Sequence, residues 1–217
     1  MAILLRKEIS LELRKLSVLS GIGLYTFSLI FICYIAFNVR RSVMTEPTWA
    51  ALFWLVALFS VINTVAKSFI GEKKGLAIYY YTVASPEAIV VSKIVYNSIL
   101  SMILLLVAYG LFNALILSPV NDHTLFLATL MLASVGFSSA FTLLSGIAAK
   151  ANNSHVVMAV LSFPIVIGIL LMVIRITTNV IDNLDRSASY DELLNLTAIN
   201  LIITALAYLL FPYIWRS

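Results

Sequence analysis

The sequence predicts an all-α integral membrane protein: six transmembrane helices preceded by an amphipathic helix lying along the membrane surface. Three observations carry that expectation. Six apolar stretches, at about 19–39, 48–66, 94–117, 124–149, 156–174 and 193–214, occupy most of the 217 residues. A helix that crosses the hydrocarbon layer needs roughly 20 such residues. The composition is 62% hydrophobic and 11% charged, against roughly 25% charged in an ordinary soluble domain. The apolar runs are also continuous, as in Leu100–Ala108 and Val156–Leu161, whereas a membrane β-barrel alternates over segments of about ten residues. Backbone groups in lipid must satisfy one another within the chain, and uninterrupted apolar runs do so as helices. Residues 1–217 are expected to form one membrane domain.

The first element is expected at residues 3–18. Leu5, Ile9, Leu13 and Leu16 recur at helical spacing, with Lys7, Glu8, Arg14 and Lys15 on the other side. Such a helix lies in the headgroup layer, apolar face towards the acyl chains and basic face towards anionic lipid. An extension of the first span is the alternative, but Ser20-Gly21-Ile22-Gly23 offers a place for the chain to turn upward. The charges over residues 5–16 are interleaved with apolar residues, which is not the layout of a cleavable signal peptide. The single cysteine, Cys33, falls within span one; it forms no CxxC site and no disulfide framework, and is expected to pack as a small residue.

Between spans two and three runs the most informative segment. Lys67-Ser68-Phe69-Ile70-Gly71-Glu72-Lys73-Lys74-Gly75 opens it, and Leu76-Ala77-Ile78-Tyr79-Tyr80-Tyr81-Thr82 follows. Ser85-Pro86-Glu87 then supplies a cap residue and a proline for the first turn of the next helix. Two readings of the three tyrosines stand level on physical grounds. One is an aromatic belt at the membrane surface; the other is a short helix presenting aromatic anchors to a cytoplasmic partner. Gly71-Glu72-Lys73-Lys74-Gly75 lacks the spacing and the Lys-Ser/Thr ending of a phosphate-binding loop. ATP hydrolysis would therefore have to come from a separate subunit.

The remaining connections are shorter. Ser118–His123 and Lys150–His155 form turns in which each histidine stands alone in sequence and is expected to be solvated. In the stretch Ile176–Leu193, Ser189 and Glu192 form a capping-box pattern that starts the last helix. Within the spans, Gly136, Ser138, Ser139 and Gly146 suit close helix packing, and Pro164 should bend span five. Asn63, Asn97, Asn113 and Asn200 are expected to bond between helices. The scarcity of ionisable residues in the spans argues against an ion or proton relay, and no HExxH motif is present for a metalloprotease.

Lys and Arg give the expected orientation. With the N-terminus inside, ten lie on the cytoplasmic side and four (Arg40, Arg41, Arg175 and Arg186) outside, in accord with the positive-inside rule. Both termini are then cytoplasmic. The basic residues form no single stripe, so the net charge of +4 does not point to nucleic acid.

Taken together, these features resemble the haem exporter protein B family, permease subunits of the ABC transporter of bacterial cytochrome c maturation. The resemblance rests on the amphipathic N-terminus, six spans, Gly71-Glu72-Lys73-Lys74-Gly75 followed by an apolar run, Ser85-Pro86, Ala88, Lys93, Gly136 and Pro164. It implies an ABC-2-type permease in the bacterial cytoplasmic (inner) membrane. The segment 71–86, with Glu72, Lys73, Lys74, Gly75, Tyr79, Tyr80 and Tyr81, would then couple to a cytoplasmic ABC ATPase. Leucines are commoner in the family where the three tyrosines stand. Implied partners are a second copy of the chain, a haem-handling membrane protein and a haem chaperone. The resemblance implies haem export or release of a haem-loaded chaperone on the outer face, driven by ATP through the partner. Haem is then a possible cargo, and no cofactor is assigned to this chain. The chain itself is expected to transmit force, with Gly136, Gly146 and Pro164 as packing or hinge points. Two alternatives remain: an exporter permease for lipid, polysaccharide or drug, and a membrane scaffold without a transport cycle.

Overall fold

The computed structural model describes residues 16–40, 45–65, 85–116, 118–151 and 154–216. They form six long helices: α1 (Leu16–Arg40), α2 (Glu46–Val65), α3 (Pro86–Ile116), α4 (His123–Ala148), α5 (Ser154–Ile181) and α6 (Tyr190–Arg216). A short 3₁₀ turn, Arg186–Ser189, leads into α6. All six are long and apolar enough to cross a membrane, and no strand occurs among the described residues. The expected surface helix falls on residues 1–15, outside the described residues, except for 16–18, which open α1.

Several helices outrun the apolar stretches. The helix α3 begins at Pro86, not 94, and α5 continues to Ile181, not 174. At 1.5 Å per residue, the 31 residues of α3 extend about 46 Å, well beyond a hydrocarbon layer of about 30 Å. The expected turn at Ser20–Gly23 does not form, because α1 runs unbroken through both glycines. Interrupting the ladder there would strand backbone N–H and C=O groups in lipid, and glycine is well tolerated in membrane helices.

Around α4 the neighbouring helices form a closed ring in the order α2, α3, α6, α5, while α1 lies outside against α2 and α3. Burial follows from this placement: 72% of the α4 span is buried, against 11% of the α1 span. A helix enclosed on every side needs small side chains where neighbours approach, and α4 supplies Ala133, Gly136, Ala140 and Gly146, all buried. Gly136 shows why. A Cβ there would run into Asn200 Oδ1 and lie 3.3 Å from Asn200 Cγ and 3.4 Å from Ile169 Cδ1. The glycine is thus the point where α4, α5 and α6 close on one another.

The helix α5 passes through Pro164 without a break. Proline removes one backbone donor and crowds the preceding turn. Helical N–H groups reach back four residues, so the carbonyl left without its donor belongs to Val160. A second internal proline, Pro212, lies in the last turns of α6. α5 ends sharply: Asn183 adopts φ 54°, and Leu184 N–H returns to Asn179 O at 3.1 Å. That is a Schellman closure, with asparagine in the left-handed position glycine usually fills.

Gly136→Ala is predicted to destabilise the bundle by about 1–3 kcal/mol, the usual cost of overpacking a tight core. Thermal unfolding in detergent measures it. Adding Asn200→Ala should recover part of the loss by opening space for the new methyl; an unchanged melting temperature in G136A would contradict the packing described.

Candidate functional site

Of the residues expected to couple with an ATPase, Glu72, Lys73, Lys74, Gly75, Tyr79, Tyr80 and Tyr81 lie outside the described residues. The described chain resumes at Ser85, whose Oγ accepts from Ala88 N–H at 3.4 Å, with Pro86 and Glu87 in the first turn of α3. That segment therefore leads straight into α3. Two turns on, Lys93 is only 2% exposed, although its place in the sequence suggests a solvated edge. Because α3 starts at Pro86, Lys93 lies inside the helix, beside the cluster that Ile89, Val90 and Ile94 form with Leu143, Ala207 and Phe211. Burial of an amine at a helix interface is costly unless other groups receive it, and Lys93 does make such a contact.

From here a seam of small polar side chains ascends between helices. Asn97 Nδ2 donates to Thr142 Oγ1 (2.8 Å) and Ser138 Oγ to Ser101 Oγ (2.9 Å), joining α3 to α4. Thr204 Oγ1 donates to Ser139 Oγ (3.2 Å) and Asn200 Nδ2 to the Leu132 carbonyl (2.8 Å), joining α4 to α6. Two further pairs serve the other helices: Thr26 to Ser60 (3.0 Å) between α1 and α2, and Trp54 Nε1 to Thr177 Oγ1 (2.8 Å) between α2 and α5. Such bonds are worth roughly 0.6 kcal/mol each in a membrane; their value lies in fixing register. Asn97 and Asn200 thus bond between helices, as expected. Asn113 instead faces outward and Asn63 is half-buried. Asn200 Oδ1, pressed against Gly136, is buried without a hydrogen-bond partner.

At the opposite end, aromatic rings fill the space between α2, α3 and α4. Trp49 stacks on Phe53 at 5.3 Å, and Phe112 meets both edge-on at 5.7 and 5.4 Å. Tyr109 packs on Phe126 with centroids 4.8 Å apart. Aromatic pairs in these geometries add about 0.5–1.5 kcal/mol beyond burial. The Tyr109 hydroxyl lies 2.8 Å from His123 Nδ1. His123 is exposed, as expected, but it opens α4 and its ring is hydrogen-bonded to Tyr109 of α3.

The same end carries an ion-pair clasp between two connections. Arg186 Nε donates to Asp122 Oδ2 (2.6 Å), and its Nη2 to Asp122 Oδ1 (3.1 Å) and Thr124 Oγ1 (2.6 Å). Asp122 also caps α4, accepting from Thr124 and Leu125 N–H, both at 3.1 Å. The hydrogen bonds from Arg186, then those from Thr124 and Leu125, hold the Asp122 carboxyl well below the usual carboxylate range. Asn121 Nδ2 adds a bond to the Ile181 carbonyl (3.2 Å). Ser189, expected as a capping-box residue, instead receives Asn179 Nδ2 at 3.1 Å, and Glu192 Oε2 has no partner. The helix still starts there, at Tyr190.

Among the described residues no group of three or more His, Cys, Asp and Glu could hold a metal ion. What the arrangement offers is mechanical. The helices α3, α4 and α6 are cross-bonded, α5 is tied to α2 through Trp54, and one end is clasped.

A protein-family model described as CcmB protein matches residues 1–210. No curated protein and no solved structure matches the chain.

The clasp makes a pH-dependent prediction. A carboxyl whose folded pKa is depressed contributes stability that is complete above its unfolded pKa of about 3.9 and is lost as pH falls towards the folded value. The wild-type melting temperature should thus drop between roughly pH 5 and 3 more steeply than that of Asp122→Asn, and 1 M salt, with a Debye length of about 3 Å, should shrink the difference. Parallel curves for the two proteins would show that the pair contributes nothing.

Proposed function

From membership of the CcmB family, to which this chain belongs, we propose that it transmits force from a cytoplasmic ATPase through the bacterial inner membrane to drive a step of haem delivery. The family is that of the haem exporter protein B, a multi-pass membrane component of the ABC system for cytochrome c maturation. It is a permease subunit and not an enzyme in its own right. The family match over residues 1–210 is the observation that carries the proposal.

In this reading both termini and the 71–86 segment are cytoplasmic, consistent with ten Lys and Arg on that side against four on the other. Two copies of the chain pair with two ATPase subunits. Glu72, Lys73, Lys74, Gly75 and the tyrosines 79–81 dock on the ATPase, and a displacement there enters α3 directly at Ser85. The Asn97–Thr142 and Ser101–Ser138 bonds pass it to α4, and the bonds of Asn200 and Thr204 pass it to α6. These three helices move as one body, and Pro164 lets α5 bend as they shift. The ATPase supplies the free energy, and the permease links two states of the bundle. Haem, carried onward with a haem-handling membrane protein and a chaperone, is cargo of the assembly.

Affinity purification of the tagged chain from membranes, with mass spectrometry of its companions, tests the reading. It should recover an ABC ATPase and haem-handling maturation proteins. An ATPase with other companions would point to an exporter of different cargo, and recovery of no ATPase in gentle detergent would favour a scaffold. Gly75→Pro, or alanine at Tyr79, Tyr80 and Tyr81, should abolish cytochrome c assembly in cells while leaving membrane insertion unchanged. Normal assembly in both variants would refute the coupling role.

A further inference from the structure

A cavity of about 310 Å³ opens between the first turn of α3 and the last turns of α6, lined by Glu87, Tyr208, Leu209, Pro212 and Tyr213. Its chemistry is one-sided. Glu87, half-buried at the start of α3, brings a carboxylate that has no ion-pair or hydrogen-bond partner among the described residues. Pro212 adds a second acceptor. It stands four residues after Tyr208, the interval spanned by a helical hydrogen bond, and has no N–H to donate. The Tyr208 carbonyl is thereby released from the ladder at the point where both residues line the cavity. The phenols of Tyr208 and Tyr213, 49% and 76% exposed, complete the polar wall.

Position narrows the occupant. The cavity lies where α6 approaches its end, and tyrosines gather at the depth of lipid headgroups. Leu206, Leu209 and Leu210 are exposed just along the same helix, in reach of acyl chains. At 310 Å³ the space is at the small end of ligand pockets, which run from roughly 300 to 1,000 Å³. A primary ammonium carries three N–H donors and answers a carboxylate and a freed carbonyl together. Phenol O–H groups can donate to a neighbouring phosphate.

We propose that this cavity holds the headgroup of a phospholipid bearing a primary amine, its ammonium between the Glu87 carboxylate and the Tyr208 carbonyl and its acyl chains along Leu209. The lipid would steady the junction between the start of α3 and the end of α6. The inference does not depend on the transported cargo.

Native mass spectrometry of the purified full chain, exchanged into mixed micelles of phosphatidylethanolamine, phosphatidylcholine and phosphatidylglycerol, reads occupancy directly. Phosphatidylethanolamine should be retained about tenfold over phosphatidylcholine, the scale of one charge-assisted hydrogen bond, because trimethylation removes every N–H donor. Glu87→Gln should reduce that preference to near unity while circular dichroism stays unchanged. Pro212→Ala restores a donor to the Tyr208 carbonyl and should also weaken retention, even though it removes a helix-interrupting residue. Equal retention of the three lipids by the wild type, or an undiminished preference in Glu87→Gln, would overturn the proposal.

Discussion

Close approach to α4 is the constraint on which the rest of the bundle depends. Four helices surround it, and α5 and α6 close on it where Gly136 leaves little bulk. At Gly136, Asn200 of α6 and Ile169 of α5 meet over the helix. Without a hydrophobic drive between helices already in lipid, association relies on such packing and on interhelical hydrogen bonds. The hydroxyls of Ser138, Ser139 and Thr142 supply both, being small enough to let backbones close and polar enough to bond across them. The central helix is therefore spacer and fastener at once.

The two ends of the bundle are finished differently. At the Asp122 end, rings from three helices interlock, His123 is tied to Tyr109, and Arg186 joins two connections through one carboxylate. At the other end Lys93 is buried, and α3 begins just after the segment proposed to dock the ATPase. Under the proposed coupling, a bundle clasped at one end and pushed at the other would act as a lever. The polar seam ties α3, α4 and α6 to one another. Apolar contacts, which can slide, are what α4 presents to α5 at Ile169.

Much of this was legible from the amino acids. The six apolar stretches marked the helices, Ser85-Pro86 marked the start of α3, and Gly136 and Asn200 were singled out as packing and bonding residues. Three features were not. The burial of Lys93 was hidden because an apolar window finds where lipid begins and not where a helix begins, and α3 has further turns outside that window. The bond between His123 and Tyr109 joins residues 14 apart, and the clasp of Arg186 on Asp122 joins residues 64 apart. Neither spacing has a signature in sequence. The Pro212 effect on Tyr208 could have been found, since an i−4 carbonyl can be counted for any proline inside an expected helix.

By itself, the sequence determined the class of molecule, the number of crossings and their approximate limits. Those follow from solvation of each segment taken alone: a long apolar run has one low-energy state in lipid, whatever its neighbours do. Only the tertiary structure decided that α4 is central, that α1 is peripheral, and which polar residues meet. These outcomes depend on matching shapes and donors between segments distant in the chain, and a Ser or Asn in an apolar run carries no mark of its eventual partner. Asn200 and Asn113 illustrate the point, with similar apolar surroundings in sequence and opposite fates, one locked over Gly136 and the other facing outward.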